Sequence, residues 1–433
     1  MNLTGVIAKG AVSAPMNVPK KGDQDGRRKG DELMRLKMLD GNGAAVEAIR
    51  LARPGVIAAY PITPQSSISE HLADCVMNGE INAEYVRVES EHSAMSVCIG
   101  AQLTGVRVAT ATASVGLALM HEVCGVASGC RVPIVMPVVN RSLVAPWSLW
   151  CDHQDTMAER DTGWLQYYCG TVQEVLDLTL CAYRISEHEE VMTPSMVCLD
   201  GFYLSHSMQK VTVPTDEEAW DFVKPYVRKN MYLDPTDVMF INDLCPTSEY
   251  TEMRYQQKIG FEKAEEVTIQ VFEEYEQRFG RRLHTVESYH LEDAEVAVVT
   301  IGSMSGAGKY VVDQLRQKGV KAGLLRICMF RPFPAKEVRT ALKDVKVIGV
   351  MDRSAGLGGV SAPVAEEVKA AMYGAESRIF SFIGGLAGRD ISDVTFRGIF
   401  AELIQVCEGK SDGVNSWYDL NGDPMSLREV QTC

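Results

Sequence analysis

The sequence predicts an α/β protein built from two domains of mostly parallel sheet, and three observations carry that expectation. Short, nearly continuous apolar runs alternate with helical spacing from Asn42 to about Leu204, the rhythm of parallel strands covered on both faces. Residues 212–290 interrupt it, with Pro214, Pro225, Pro235 and Pro246 set among charged side chains, as in a connecting segment. The alternation resumes at Glu295.

The first forty residues differ in character. Over 20–31, lysines and arginines are broken by glycine and aspartate. This reads as an arm, solvated or embracing a partner; an amphipathic targeting helix is the other reading, and Asp23, Asp25, Asp31 and Glu32 oppose it. Residues 44–52 have helical spacing, 56–60 form a short apolar strand, and 66–77 a helix opened by serines. A strand at 85–88, a small-residue helix at 93–103, a strand at 107–112, a helix at 116–127 and an apolar strand at 133–139 continue the pattern. The connecting segment ends in a long polar helix, 261–279. Beyond it come strand 295–301, helix 306–318, strand 322–327, helix 334–342 and strand 345–351. The expected division is an arm at 1–40, a first domain at 41–211, a connecting segment at 212–290, a second domain at 291–410 and a C-terminal tail at 411–433.

Composition narrows the function classes. Forty-three basic against 57 acidic residues leave a net charge of −14, which opposes a nucleic-acid partner. No run reaches the roughly 18 apolar residues that span a bilayer, and the N-terminus lacks the apolar core of a signal peptide, so a cytoplasmic address is expected. The twelve cysteines are scattered through apolar stretches with no Cys-x-x-Cys among them. That pattern suits reduced core thiols and encodes neither a zinc ribbon nor the usual iron–sulfur run.

Three constellations fall at strand-to-helix junctions. Tyr60-Pro61-Ile62-Thr63-Pro64-Gln65 occupies the kind of loop where open parallel sheets bind ligands, beyond the carboxyl ends of the strands. Thr63 offers a hydroxyl there; a stiff turn with Ser66 or Ser67 as helix cap is the plainer reading. Glu89-Ser90-Glu91-His92-Ser93-Ala94-Met95 forms the next junction. The strand before it is apolar, so Glu91 emerges at the ligand edge, although a first-turn acid complementing the helix dipole fits one of the two glutamates equally well. A metal site from Glu89, Glu91 and His92 is disfavoured because residues 91 and 92 point apart on a helix, and no metal site is assigned. The third constellation runs Val138-Val139-Asn140-Arg141-Ser142-Leu143, then Cys151-Asp152-His153-Gln154-Asp155-Thr156-Met157. Arg141 ends a buried strand with a planar fork that suits a carboxylate gripped by two hydrogen bonds. An Arg–Asp pair that locks the loop is the plainer reading, and the two are compatible.

Two glycine-rich patterns are discounted. In Gly302-Ser303-Met304-Ser305-Gly306-Ala307-Gly308-Lys309 the outer glycines are one residue too far apart for a P-loop, and Tyr310 stands where magnesium needs Ser or Thr. Gly356-Leu357-Gly358-Gly359 lacks the third glycine of a dinucleotide fingerprint, which leaves an anion at the following helix N-terminus open.

The order and spacing of Tyr60 to Gln65, Ser90-Glu91-His92-Ser93-Ala94, Asn140-Arg141-Ser142-Leu143, Asp152-His153-Gln154-Asp155 and Arg160-Asp161-Thr162-Gly163-Trp164 resemble the α subunit of the pyruvate:ferredoxin oxidoreductase family. The likeness continues through Leu199-Asp200-Gly201-Phe202 to Phe330-Arg331-Pro332-Phe333-Pro334, covering about residues 41 to 410. It implies a thiamine-diphosphate-binding-type parallel-sheet domain followed by a transketolase C-terminal-like α/β domain. By the same resemblance Glu91 hydrogen-bonds N1′ of the cofactor's aminopyrimidine, with Tyr60 and Pro61 beside the cofactor, and Arg141 and Thr63 receive the substrate. These are the expected catalytic residues.

The resemblance further implies oxidative decarboxylation of a 2-oxo acid to acyl-CoA and carbon dioxide, with coenzyme A as co-substrate. The chain has no Gly-Asp-Gly followed at about thirty residues by Asn, the family's diphosphate and magnesium signature. A β subunit is therefore expected to share the cofactor and hold Mg2+. Iron–sulfur clusters are expected on other chains, among γ and ferredoxin-like δ subunits, with a flavin subunit passing electrons to NAD as a further option. Thr63, where the oxalate-using branch carries arginine, implies a monocarboxylic 2-oxo acid, pyruvate by family default. Trp147 and Trp150 near Arg141 keep an aromatic acid open, phenylglyoxylate giving benzoyl-CoA; a branched-chain acid is the other alternative. From another class, a scaffold subunit without catalysis is opposed by intact Thr63, Glu91 and Arg141, and a one-component thiamine enzyme by the missing half of the cofactor site.

Overall fold

The computed structural model describes residues 35–228, 231–414, 416–418 and 420–421. The arm before residue 35 and the tail from 422 lie outside the described residues. The chain opens with strand β1 (Arg35–Leu39) and helix α1 (Gly41–Ala52), whose first turn is capped by the Asp40 carboxylate on the Gly43 N–H at 2.7 Å. β2 (Val56–Ala59), α2 (Ser66–Met77), β3 (Glu84–Arg87), α3 (Glu91–Leu103) and β4 (Val108–Ala109) follow. Two short helices, α4 (Ser114–Leu119) and α5 (His121–Gly129), lead to β5 (Val135–Asn140). Then come α6 (Gln154–Ala158), β6 (Leu165–Tyr168), α7 (Val172–Ser186), β7 (Ser195–Asp200), β8 (Gln209–Val213), α8 (Asp216–Val223) and the thirty-residue α9 (Tyr250–Phe279). The second half holds β9 (Val286–Tyr289), β10 (Val296–Ile301), α10 (Ser305–Gln317), β11 (Ala322–Ile327), β12 (Met329–Arg331), α11 (Ala335–Leu342), β13 (Val347–Asp352), α12 (Pro363–Ala371), β14 (Arg378–Ile383) and α13 (Asp393–Cys407).

The strands form a seven-stranded sheet ordered β12-β6-β7-β5-β4-β2-β3 and a five-stranded sheet ordered β14-β13-β10-β11-β9. Both are parallel except at one edge, where β12 runs antiparallel to β6 and β9 antiparallel to β11. Every residue of β5 and β7, and of β10, β11 and β13, is buried, the consequence of helices on both faces. On one face of the first sheet α7 lies between α1 and α9. α9 contributes a stripe of Gly260, Ala264, Val267, Thr268, Val271, Phe272, Tyr275 and Phe279, the spacing of a helix that buries one side. β1 pairs with β8 as a separate ribbon.

Several boundaries differ from those read in the sequence. α3 starts at Glu91 and not at 93, because the Ser90 hydroxyl accepts the Ser93 N–H and moves the cap back to residue 90. The single helix expected at 116–127 is two, broken at Met120. The polar helix expected at 261–279 extends back to Tyr250. β1 falls within the stretch read as arm, and β12 carries chain from the second domain onto the first sheet.

Candidate functional site

Four adjacent strands of the first sheet, β5-β4-β2-β3, end on one edge, and each delivers a loop there. β2 ends at Ala59 and releases Tyr60 to Gln65; Asn42 pins this loop by donating to the Pro64 carbonyl and the Ser67 hydroxyl, both at 2.8 Å. Tyr60, Pro61 and Thr63 remain exposed on it. β3 leads to Ser90, the cap that places Glu91 in the first turn of α3, where its side chain is buried. β4 leads to Thr110, Thr112 and Ser114, and β5 ends at Asn140 with Arg141 immediately after. Parallel strands aim their carboxyl ends at one crevice, so residues scattered over eighty positions share one edge.

The Glu91 carboxylate makes no hydrogen bond among the described residues, and its immediate neighbour is a glycine. A Cβ built on Gly116 would stand 2.6 Å from Glu91 Oε1 and 2.7 Å from Thr112 Oγ1. The hydroxyls of Thr110 and Thr112 are buried without partners. Glu89, by contrast, is exposed and accepts from the Ser93 hydroxyl, while His92 lies 3.9 Å from Glu122 on the surface. The two glutamates of that constellation therefore have different fates.

Arg141 is 5% exposed and has no acidic partner among the described residues. Its Nη1 donates to the Thr63 carbonyl at 2.9 Å and its Nε to the Ser148 carbonyl at 3.1 Å, which brings Thr63 and Arg141 together. Burial pulls its pKa below the ordinary arginine value, with Asp155 opposing. Asp155 does not form the guanidinium pair that the loop suggested. It accepts the Arg141 backbone N–H at 3.0 Å. Trp147 stands largely exposed in the next loop, and Trp150 packs on Phe202 with ring centroids 4.6 Å apart.

Asp200, at the end of β7, joins the two sheets. Its Oδ1 accepts from His153 Nε2 at 2.7 Å; its Oδ2 accepts the Ser303 N–H at 3.0 Å, the Ser303 hydroxyl and Arg353 Nη1 at 3.2 Å. Burial alone would raise its pKa, but His153, Arg353 and Ser303 outweigh burial and hold it well below the usual carboxylate range. The Cys151 thiol lies close by, so Cys151, His153 and Asp200 form a buried donor cluster. Arg353 already supplies the cation there, which makes the cluster a clasp between domains.

The glycine patterns also find roles. Gly302 has φ of +71°, and a Cβ there would sit 3.2 Å from both Asp200 oxygens and from His153, so glycine lets the second domain approach the clasp. The N-terminus of α12, left open for an anion, is filled by Asp352, which accepts the N–H groups of Val364 and Ala365 at 3.1 and 3.2 Å. Sequence reasoning missed Thr112, Ser114, Gly116, Ser303 and Arg353. No local pattern marks them, because each matters only through a neighbour far along the chain.

A parallel sheet that gathers a carboxylate, a buried guanidinium and a threonine at its carboxyl edge, beside a second α/β domain, has the form of a ligand-binding crevice. Comparisons with known proteins agree. Residues 47–273 match the family described as pyruvate flavodoxin/ferredoxin oxidoreductase, thiamine diphosphate-binding, and 294–395 match pyruvate:ferredoxin oxidoreductase core domain II. The chain is 46% identical over 363 residues to the pyruvate synthase subunit PorA of Methanocaldococcus jannaschii, covering 83% of this chain and 93% of that one. It is 41% identical over 374 residues to the α subunit of the NADH-dependent phenylglyoxylate dehydrogenase of Aromatoleum evansii (84% and 90% covered). It is 40% identical over 390 residues to the ketoisovalerate oxidoreductase subunit VorA of Pyrococcus abyssi (89% and 98% covered). Among solved structures, 2-oxoglutarate:ferredoxin oxidoreductase from Magnetococcus marinus shares the fold, with a TM-score of 0.67 at 18% identity, over 86% of this chain and 65% of that one.

The chain belongs to the pyruvate:ferredoxin oxidoreductase family, as an α-type catalytic subunit of a 2-oxoacid oxidoreductase. Its fold is that of a thiamine-diphosphate-binding-type domain followed by a smaller α/β domain. Among the described residues no helix is long and apolar enough to cross a membrane.

Proposed function

We propose that this chain holds the pyrimidine side of thiamine diphosphate and receives the carboxylate of a monocarboxylic 2-oxo acid, pyruvate, for oxidative decarboxylation to acyl-CoA. One observation carries the reading: the Arg141 guanidinium is buried beside Thr63 with two carbonyl partners and, among the described residues, no carboxylate. Burying a cation without an anion is unfavourable, and a substrate carboxylate would offset that cost. The Thr63 hydroxyl and the arginine fork would orient the 2-oxo acid against the cofactor.

Glu91 fits the ring side of that cofactor. Its carboxylate lacks a protein partner, lies beside the unpartnered Thr112 hydroxyl and faces a glycine where any side chain would intrude. A carboxylate so placed can hold or release a proton at one ring nitrogen. Tyr60 and Pro61 would wall the cofactor from the neighbouring loop. When bound, thiamine diphosphate supplies the carbon nucleophile and the electron sink for decarboxylation.

The rest of the enzyme would come from partners. A β subunit would share the cofactor, holding its diphosphate and Mg2+, since this chain lacks the Gly-Asp-Gly signature. Iron–sulfur clusters would reside on γ and ferredoxin-like δ chains, since no Cys-x-x-Cys occurs here, and a flavin subunit would extend the route to NAD. Coenzyme A would accept the acyl group, in the cytoplasm. Pyruvate is favoured by Thr63 and by the 46% identity to a pyruvate synthase subunit. An aromatic 2-oxo acid is the second reading, favoured by Trp147, which is 75% exposed in a loop whose far end returns to Ser142 through the Trp150 carbonyl at 3.0 Å.

The test is acyl-CoA formation by the purified complex with pyruvate, a branched-chain 2-oxo acid and phenylglyoxylate. Highest kcat/KM with pyruvate supports the first reading. Preference for phenylglyoxylate transfers support to the second, and no acyl-CoA from any of them overturns both.

A further inference from the structure

We propose that Asp155 is a positioning residue that sets the Glu91 carboxylate and the Arg141 guanidinium in register with one another. The proposal rests on the reading that Arg141 receives the substrate carboxylate. Asp155 Oδ2 accepts two backbone N–H groups from different loops, Ser114 at 3.1 Å and Arg141 at 3.0 Å. Its Oδ1 accepts Asn140 Nδ2 at 2.9 Å and the Thr156 N–H at 2.8 Å. Ser114 opens the helix whose Gly116 lies against Glu91. One carboxylate oxygen therefore ties the wall behind Glu91 to the root of Arg141. A parallel tie is the Ser114 hydroxyl, which donates to the Ser142 carbonyl at 2.5 Å.

The backbone supports this assignment. Ser114 holds φ of +49°, a left-handed conformation that is uncommon outside glycine. Such residues persist where surrounding bonds over-determine them, and Asp155 and Ser142 supply those bonds. Asp155 is fully buried, and burial pushes its pKa up to about 6 in spite of the hydrogen bonds from Arg141, Asn140 and Ser114. A folded value above the ordinary 3.8 means that ionisation at neutral pH costs stability instead of adding it. The charge serves geometry: only an ionised carboxylate presents acceptors alone to four converging donors. The titratable and charged groups facing Asp155 are Arg141, Cys151, Asp152, Glu159, Tyr168 and Cys198. Burial raises the two thiols and the phenol, away from neutrality.

The test compares the assembled complex carrying Asp155→Asn, Asn140→Ala or Arg141→Ala with the parent, by steady-state kinetics with pyruvate from about pH 5 to 8. In the parent, KM is expected to rise as pH falls through about 6. Asp155→Asn should raise KM on the order of tenfold and remove that dependence. Asn140→Ala removes a bond that favours the carboxylate, so the rise in KM should move to higher pH. Parent-like KM and pH profile in Asp155→Asn overturn the proposal, as does an unmoved inflection in Asn140→Ala. If Asp155→Asn fails to assemble, the Asn140→Ala profile decides. Parent-like KM in Arg141→Ala overturns the reading of the substrate site and this proposal with it; a raised KM there beside a parent-like Asp155→Asn overturns this proposal alone.

Discussion

Gly116 shows how little space surrounds the Glu91 carboxylate. In Gly116→Ala the new methyl must displace Glu91 Oε1 or Thr112 Oγ1, which would lie 2.6 and 2.7 Å away. Helix propensity favours alanine at this position, so the complex should assemble and melt near the parent temperature. Turnover should nevertheless fall by roughly 100-fold, the scale of a 1 Å misplacement in an active site. Normal kcat in that variant would remove Gly116 from the site. Glu91→Gln keeps the shape and loses the proton-exchanging oxygen, so kcat should drop by about 100-fold or more with cofactor still bound. Single-turnover kinetics on the reconstituted complex check it. At this scale the sequence is partly legible. Glu91, Thr63 and Arg141 announce themselves by chemistry at strand ends, whereas Gly116 looks like any small residue in a helix, because its constraint is set by a side chain twenty-five positions away.

At the scale of elements, the junction of α7 and α9 carries a buried carboxylate with a single guanidinium. Asp177 accepts from Arg281 Nε at 2.8 Å and Nη2 at 3.0 Å, from the Tyr275 hydroxyl at 2.7 Å and from Gln173 at 2.8 Å. Burial raises its pKa, and Arg281 opposes the rise. Arg281→Met should therefore cost about 3 kcal/mol, since it strands a buried charge. The sign with pH is definite. Without Arg281 the folded pKa climbs further above the unfolded one, so the stability deficit shrinks as pH falls and protons neutralise Asp177. Denaturant melts at two pH values check it; an equal deficit at both contradicts the account. The helix 66–77 and the strand 322–327 were readable to the residue, the helix from its periodic apolar face and the strand from a short, continuous apolar run buried on both faces. α7 was not anticipated. It is packed between α1 and α9 and buried over most of its length, although Gln173, Glu174 and Arg184 stay outside the buried set.

The whole molecule turns on the Asp200 clasp. Asp200→Asn should lower the melting temperature of the complex, with a cost of about 3–5 kcal/mol for leaving Arg353 buried without its partner. Because the folded pKa of Asp200 lies below the ordinary value, the stability the clasp contributes is fully present above about pH 4 and is lost as pH falls from there through the folded pKa. Scanning calorimetry across acidic to neutral pH checks this; a parent-like profile would show that the domains are held elsewhere. Two α/β halves were legible from the alternating rhythm, but their joint was not, since His153, Asp200, Ser303 and Arg353 are spread over two hundred positions.

The strand Met329–Arg331 crosses from the second half and lies against β6 as the last strand of the first sheet. The halves are consequently not interchangeable cassettes. A chimera that swaps everything after residue 290 for a homologous module also replaces one edge of the first sheet, and a truncation there bares the hydrogen-bonding groups of β6 to any passing strand. Recombination between family members should succeed only where the crossover carries residues 329–331 along with the sheet they complete.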